Sequence, residues 1–213
     1  MDRLYLWYLY LLILILNVLI GLVKLKFFDN ATKILLLLLF IATVNESFCR
    51  LLMAFNLYYQ PCYHIYSVLE LTLTTVYFLY TIGIKSAYKY TRTIFFVCFC
   101  IGITNLYFQP LTIINTNVLV IECLVIIPMA HFAFYKMLLN DSIINIFQHP
   151  HFWFWSAFLL LWTSTFFFWA FLDHLMITKY KVIVSYCQIL MNLATYLITG
   201  LTLLYYPKQI HDE

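Results

Sequence analysis

Apolar runs parted by short polar breaks repeat along this chain from one end to the other. A helix that crosses about 30 Å of hydrocarbon at about 1.5 Å per residue needs roughly 20 mostly apolar positions. That length predicts seven spanning helices, near residues 4–23, 34–56, 62–84, 93–109, 112–138, 153–175 and 182–206. Pro61, Pro110 and Pro150 stand at the starts of spans and Pro207 follows the last one, where a missing N–H does least harm. Polar clusters mark the other breaks: Lys24 to Lys33, Lys85 to Arg92, Asn140-Asp141-Ser142 and Asp173 to Lys181. Pro128 falls inside the fifth span and predicts a kink there. The runs are continuous rather than alternating, which argues against a β-barrel. The first run, LYLWYLYLLILILNVLIG, is too long for a signal-peptide core and lacks a small-residue cleavage site, so it is expected to be retained.

Composition agrees with this pattern. Of 213 residues, 65% are hydrophobic and 10% charged, against about 25% charged in an ordinary soluble domain. Too few polar groups exist to cover a water-soluble surface. A net charge of +3, thinly spread, makes no basic face for nucleic acid, and the high hydropathy excludes disorder. The expected fold is all-α: a single bundle of seven transmembrane helices over residues 1–213, with no soluble domain. Basic residues in short loops set orientation. With the N-terminus outside, the inner loops and tail carry Lys24, Lys26, Lys33, Lys85, Lys89, Arg92, Lys136 and Lys208, while the outside keeps Arg3, Lys179 and Lys181. The C-terminus is then cytoplasmic.

An ionisable side chain at bilayer depth is costly unless paired and marks a functional site by default. The second helix holds Asn45, Glu46 and Arg50, with Glu46 and Arg50 at i,i+4, so the two are expected to pair. The third carries Tyr63, Ser67, Glu70 and Thr74 along one stripe, with His64 beside it. The fifth carries Glu122 and His131, and the seventh a seam of Ser185, Gln188, Asn192, Thr195 and Thr199. At about 1.5 Å per residue, Glu46 falls near the midplane. Arg50, Glu70, Asn105, Glu122, Gln188 and Asn192 fall in the outer half. This shared depth predicts a polar cavity opening outward. Three carboxylates against one guanidinium leave a surplus of negative charge, met by protonation or by a cationic ligand.

Plainer roles compete with this reading. Polar seams also hold helices together, and an internal Glu46–Arg50 ion pair serves that purpose alone. His131 is expected as a satisfied buried or interfacial histidine, and His149 and His151 as solvated groups at the cytoplasmic surface. Most aromatics are expected against lipid, with Trp7 and Trp153 in interfacial belts. Cysteines Cys49, Cys62, Cys98, Cys100, Cys123 and Cys187 form no C-x-x-C pair and are expected as free, buried thiols, except that Cys62 falls in an outer loop, within reach of Cys49 but expected unpaired. His64, Glu46, Glu70 and Glu122 are metal-ligand types, yet no H-x-x-x-H or H-E-x-x-H spacing is present.

The stretch Tyr63-His64-Ile65-Tyr66-Ser67-Val68-Leu69-Glu70, preceded by Asn45-Glu46, resembles a group of small, uncharacterised bacterial seven-helix membrane proteins. The resemblance covers helices two and three and implies the architecture and a bacterial cytoplasmic (inner) membrane, with no activity attached. A retinal pigment is argued against by the lack of a lysine between Val182 and Tyr206, and a ceramidase-like hydrolase by the lack of a histidine pair on the last helix.

The expected function is a non-enzymatic, receptor-like sensor or accessory regulatory subunit. Its cavity takes a small ligand, a cation or a partner helix. In that reading Glu46 and Arg50 form the paired core, Glu70 and Glu122 supply negative charge, His64 is a pH-responsive rim, and Gln188 and Asn192 orient the ligand. A partner protein reads the cytoplasmic loops, and membrane lipids surround the bundle; no cofactor and no metal enter. Two other classes stay open: a proton- or cation-coupled carrier or channel using the same carboxyls, and an intramembrane lipid hydrolase.

Overall fold

The computed structural model describes residues 3–140, 145–170 and 181–207. Within them the chain forms seven α-helices and no strand. These are α1 (Arg3–Lys24), α2 (Asn30–Ala54), α3 (Gln60–Thr81), α4 (Thr91–Leu106), α5 (Thr116–Leu138), α6 (Pro150–Ala170) and α7 (Lys181–Leu204). Four segments are long and apolar enough to cross a membrane: Tyr5–Phe27, Asn30–Ala54, Thr116–Leu138 and Tyr186–Leu204. By length and composition this is an integral membrane protein. Asp141, Ser142, most of the break from Asp173 to Lys181, and Lys208 lie outside the described residues.

Local chemistry sets the helix ends. α2 begins four residues before the expected boundary because the Asp29 carboxylate caps it, accepting the Thr32 N–H at 2.7 Å. It ends with Asn56 in the left-handed region, φ 55°, a conformation asparagine tolerates. Gly83, φ 93°, ends α3 in the same way. α5 begins four residues later than expected, because Pro110 to Asn115 form the turn that brings the chain back from α4. Pro128 lies inside α5, where it deprives the Leu124 carbonyl of its helical partner.

Six helices close a ring in the order α1, α2, α3, α5, α6, α7 and back to α1; α4 packs outside it, mainly against α3. In lipid, helices are held by close packing and hydrogen bonds more than by water exclusion. Gly21 lets α1 approach Leu36 of α2, and Gly102 lets α4 approach Val68 of α3. Gly200 on α7 leaves room for Asn17 of α1, whose Nδ2 donates to the Tyr196 carbonyl at 2.8 Å. At the other end of this seam the Lys24 ammonium donates to the Leu204 carbonyl.

The end of the ring where α1 and α3 finish and α2 and α6 begin is tied by a buried polar chain. His151 Nε2 donates to Asp29 Oδ2 at 2.8 Å, and its Nδ1 lies 3.0 Å from the Tyr77 hydroxyl oxygen. Burial alone would raise the Asp29 carboxyl. The His151 hydrogen bond and charge, with Thr32, outweigh it and hold the group well below its ordinary range. Tyr77 is wholly buried against Trp155. His151 is 6% exposed, so the expectation of a solvated histidine fails there. Asp29 and Tyr77 together give its ring two partners inside the bundle. His149 beside it is half-buried, and burial and then the His151 ring push it below its ordinary range.

Candidate ligand cavity

All six ring helices turn side chains into one cavity of about 630 Å³, and α4 contributes none. It lies at the end of the ring opposite Asp29 and His151. The volume falls in the range of small-molecule sites, about 300–1,000 Å³. Of the residues expected to bind a ligand, Glu46, Arg50, Glu70, Gln188 and Asn192 border this space.

Glu46 extends from α2 toward α3, where Oε1 accepts the Tyr63 hydroxyl at 3.3 Å; Oε2 is buried without a hydrogen-bond partner. Arg50, one turn later, does not close onto Glu46. Its guanidinium carbon sits 4.1 Å from the Trp7 ring centroid. The expected helical ion pair is therefore replaced by two other contacts, because a flat guanidinium stacks well on an indole while Tyr63 serves the carboxylate. Among the described residues, the ion pair within 4.0 Å is His151 with Asp29. Trp7 accordingly lines the cavity wall, whereas Trp153 is 41% exposed.

Glu70 is 8% exposed and sits beside Tyr66. It borders both this cavity and a second, narrow space of about 20 Å³ walled mainly by Leu35, Leu38, Leu39, Phe154 and Phe158. Below Gln188 and Asn192, Thr195 and Thr199 continue the seam into that narrow space. The Ser185 side chain lies outside the described residues.

Glu122 and His64 stand apart from the cavity lining. Glu122 is fully buried, with no hydrogen-bond partner for either carboxyl oxygen, close enough to Glu70 to interact with it. His64 Nε2 lies 3.0 Å from the Ile113 carbonyl and ties α3 to the turn before α5. Asn105 donates to Gln109 Oε1 at 3.4 Å in the corner between α4 and α5, away from the other polar groups at its depth. His131 is exposed, its Nδ1 2.8 Å from the Ile127 carbonyl. The cysteines are free thiols; Cys49, Cys98 and Cys123 are buried as expected, but Cys100 and Cys187 are exposed because they face outward on α4 and α7.

Sequence reasoning passed over two contributors. Asn115, just before α5, is 1% exposed and donates to Ser67 Oγ at 2.6 Å, fixing the α3 wall. The other aromatics are the larger omission: Trp7, Tyr10, Tyr66, Trp162 and Tyr196 face the cavity beside Tyr63. The helical spacing of Tyr59, at the cap of α3, with Tyr63 and Tyr66 on it was the available signal. No group of three or more His, Cys, Asp or Glu side chains suited to a metal occurs among the described residues. The chain matches no protein-family model, no curated protein and no solved structure.

Proposed function

We propose that this protein is a receptor-like membrane sensor or accessory subunit that binds a small ligand in the cavity between Glu46, Glu70, Gln188 and Asn192. The observation that carries the reading is convergence: carboxyl groups from α2 and α3 and amides from α7 border one open-mouthed cavity. Polar groups serving only as glue interlock, whereas here Glu46 Oε2 has no protein partner. In this reading all seven helices cross a bacterial inner membrane with the N-terminus outside. The cavity then faces outward, and the loop carrying Lys85 and Lys89 presents the bound state to a partner protein. A density map in lipid nanodiscs tests the cavity: an occupant or ordered water between Glu46 and Gln188 supports it, and side chains closing the space overturn it. For orientation, Tyr58→Cys in a cysteine-free background should react with an impermeant maleimide in intact cells, and Lys85→Cys only after permeabilisation. Partner association should change in the Glu46→Gln/Glu70→Gln variant; association left untouched argues against sensing.

A second reading, a proton-coupled carrier, is favoured by one observation. α3 lays Ser67, Glu70, Thr74 and Tyr77 along its inner side, from the cavity to the His151–Asp29 pair. Liposome flux followed with a pH-sensitive dye separates the two, since a sensor moves no protons.

A further inference from the structure

We infer that the group held in the cavity is an organic ammonium, a positively charged nitrogen bearing carbon substituents, enclosed by aromatic rings over the Glu46 and Glu70 carboxylates. The inference rests on the ligand-binding reading above and names the ligand's chemistry.

Three features of the lining converge on this chemistry. The first is the aromatic wall. The negative face of an aromatic ring attracts a cation, and several rings around one space form the enclosure that recognises alkylated ammonium groups. Here the rings come from four helices: Trp7 and Tyr10 on α1, Tyr63 and Tyr66 on α3, Trp162 on α6 and Tyr196 on α7. They brace one another, with Trp7 and Tyr196 each edge-on to Tyr10 at 5.5 Å between centroids.

The second feature is charge. Two carboxyl groups and one guanidinium border the cavity, and Glu46 keeps a buried oxygen that no protein group satisfies. A cationic occupant lies against that oxygen and favours the ionised form of both carboxyls. An anion would meet carboxylates and ring faces, with the one guanidinium of the wall already stacked on Trp7.

The third feature is that stacking itself. Arg50 at 4.1 Å from the Trp7 centroid is a delocalised cation on an aromatic face inside the same space, the interaction the other rings offer to a ligand. A small hard ion such as sodium or calcium demands a shell of oxygens. This wall presents mostly carbon, which suits a large cation with diffuse charge.

The experiment is radiolabelled choline binding to the full-length protein in phosphatidylglycerol nanodiscs, whose headgroups carry no ammonium, at constant ionic strength in potassium chloride. Saturable binding is expected, weakened about tenfold or more in Glu70→Gln and in Tyr66→Leu and retained in Tyr66→Phe, which keeps the ring. Tyr66→Phe also guards against a fold that fails in the leucine variant. No choline binding overturns the inference. Equal competition by 3,3-dimethyl-1-butanol, the uncharged carbon analogue of choline, also overturns it while leaving a ligand cavity in place. A density map with the space filled by side chains overturns both. Choline binding that disappears in phosphatidylcholine nanodiscs supports the inference and makes a lipid headgroup the source. Binding that persists there supports it with a free solute as the source.

Discussion

His151 Nε2 lies 2.8 Å from Asp29 Oδ2, joining positions 122 residues apart in sequence at one end of the helix ring. The pair does three things at once. Asp29 caps α2, His151 sits near the start of α6, and the far side of the imidazole holds the Tyr77 hydroxyl of α3. Three helices, one of them far along the chain from the other two, are thereby set in register.

His151→Ala removes both imidazole hydrogen bonds and leaves the Tyr77 hydroxyl without its partner in the core. The expected loss is roughly 1–3 kcal/mol, toward the lower part because Asp29 keeps partial contact with solvent. Asp29→Ala should cost at least as much, since the helix cap, about 1 kcal/mol, goes with it. Unfolding midpoints of the purified variants in detergent check both; midpoints equal to wild type would show that the chain holds nothing together.

The same carboxylate gives stability a pH dependence of definite sign. Folding holds Asp29 below its ordinary value of 3.8, so the unfolded chain binds the proton more readily. Its contribution is therefore complete above about 4 and fades as pH falls through the lower, folded value. Melting curves between pH 3 and about 6 should show a falling midpoint at the acid end, with a shallower fall in Asp29→Asn. An identical slope in the variant would assign the effect to other groups.

Gly200→Ala tests the seam between α1 and α7. A Cβ there collides with Asn17 Oδ1, so the amide must swing away and give up its bond to the Tyr196 carbonyl. The expected cost is about 1–3 kcal/mol from an orphaned polar group in an apolar bundle. Gly200→Ala combined with Asn17→Ala should recover much of it, which unfolding in a denaturing detergent can read.

Arg50 and Trp7 should show a measurable coupling. In a double-mutant cycle with Trp7→Leu and Arg50→Gln, the interaction energy is expected near 0.5–2 kcal/mol. A coupling of zero would mean that the guanidinium rests on the indole without attraction.

The apolar runs made the helices legible; of the residues that depth arithmetic singled out, Glu46, Arg50, Glu70, Gln188 and Asn192 border one space, while Asn105 and Glu122 do not. Three things escaped it for physical reasons. The Asp29–His151–Tyr77 chain joins residues with no periodic relation, so it leaves no trace in a helical pattern. The place of α4 outside the ring was hidden because its sequence is as apolar as that of its neighbours; only its 16-residue length set it apart. The spacing of Glu46 and Arg50 favoured an ion pair, but spacing is blind to Trp7 approaching from another helix.

Beneath the aromatic chamber, the collar of Leu35, Leu38, Leu39, Phe154 and Phe158 leaves space on the scale of a single water molecule. A hydrated ion cannot pass such a constriction without shedding its shell, a toll of many kcal/mol in hydrocarbon. In the ligand-binding reading, this collar closes the floor beneath the occupant.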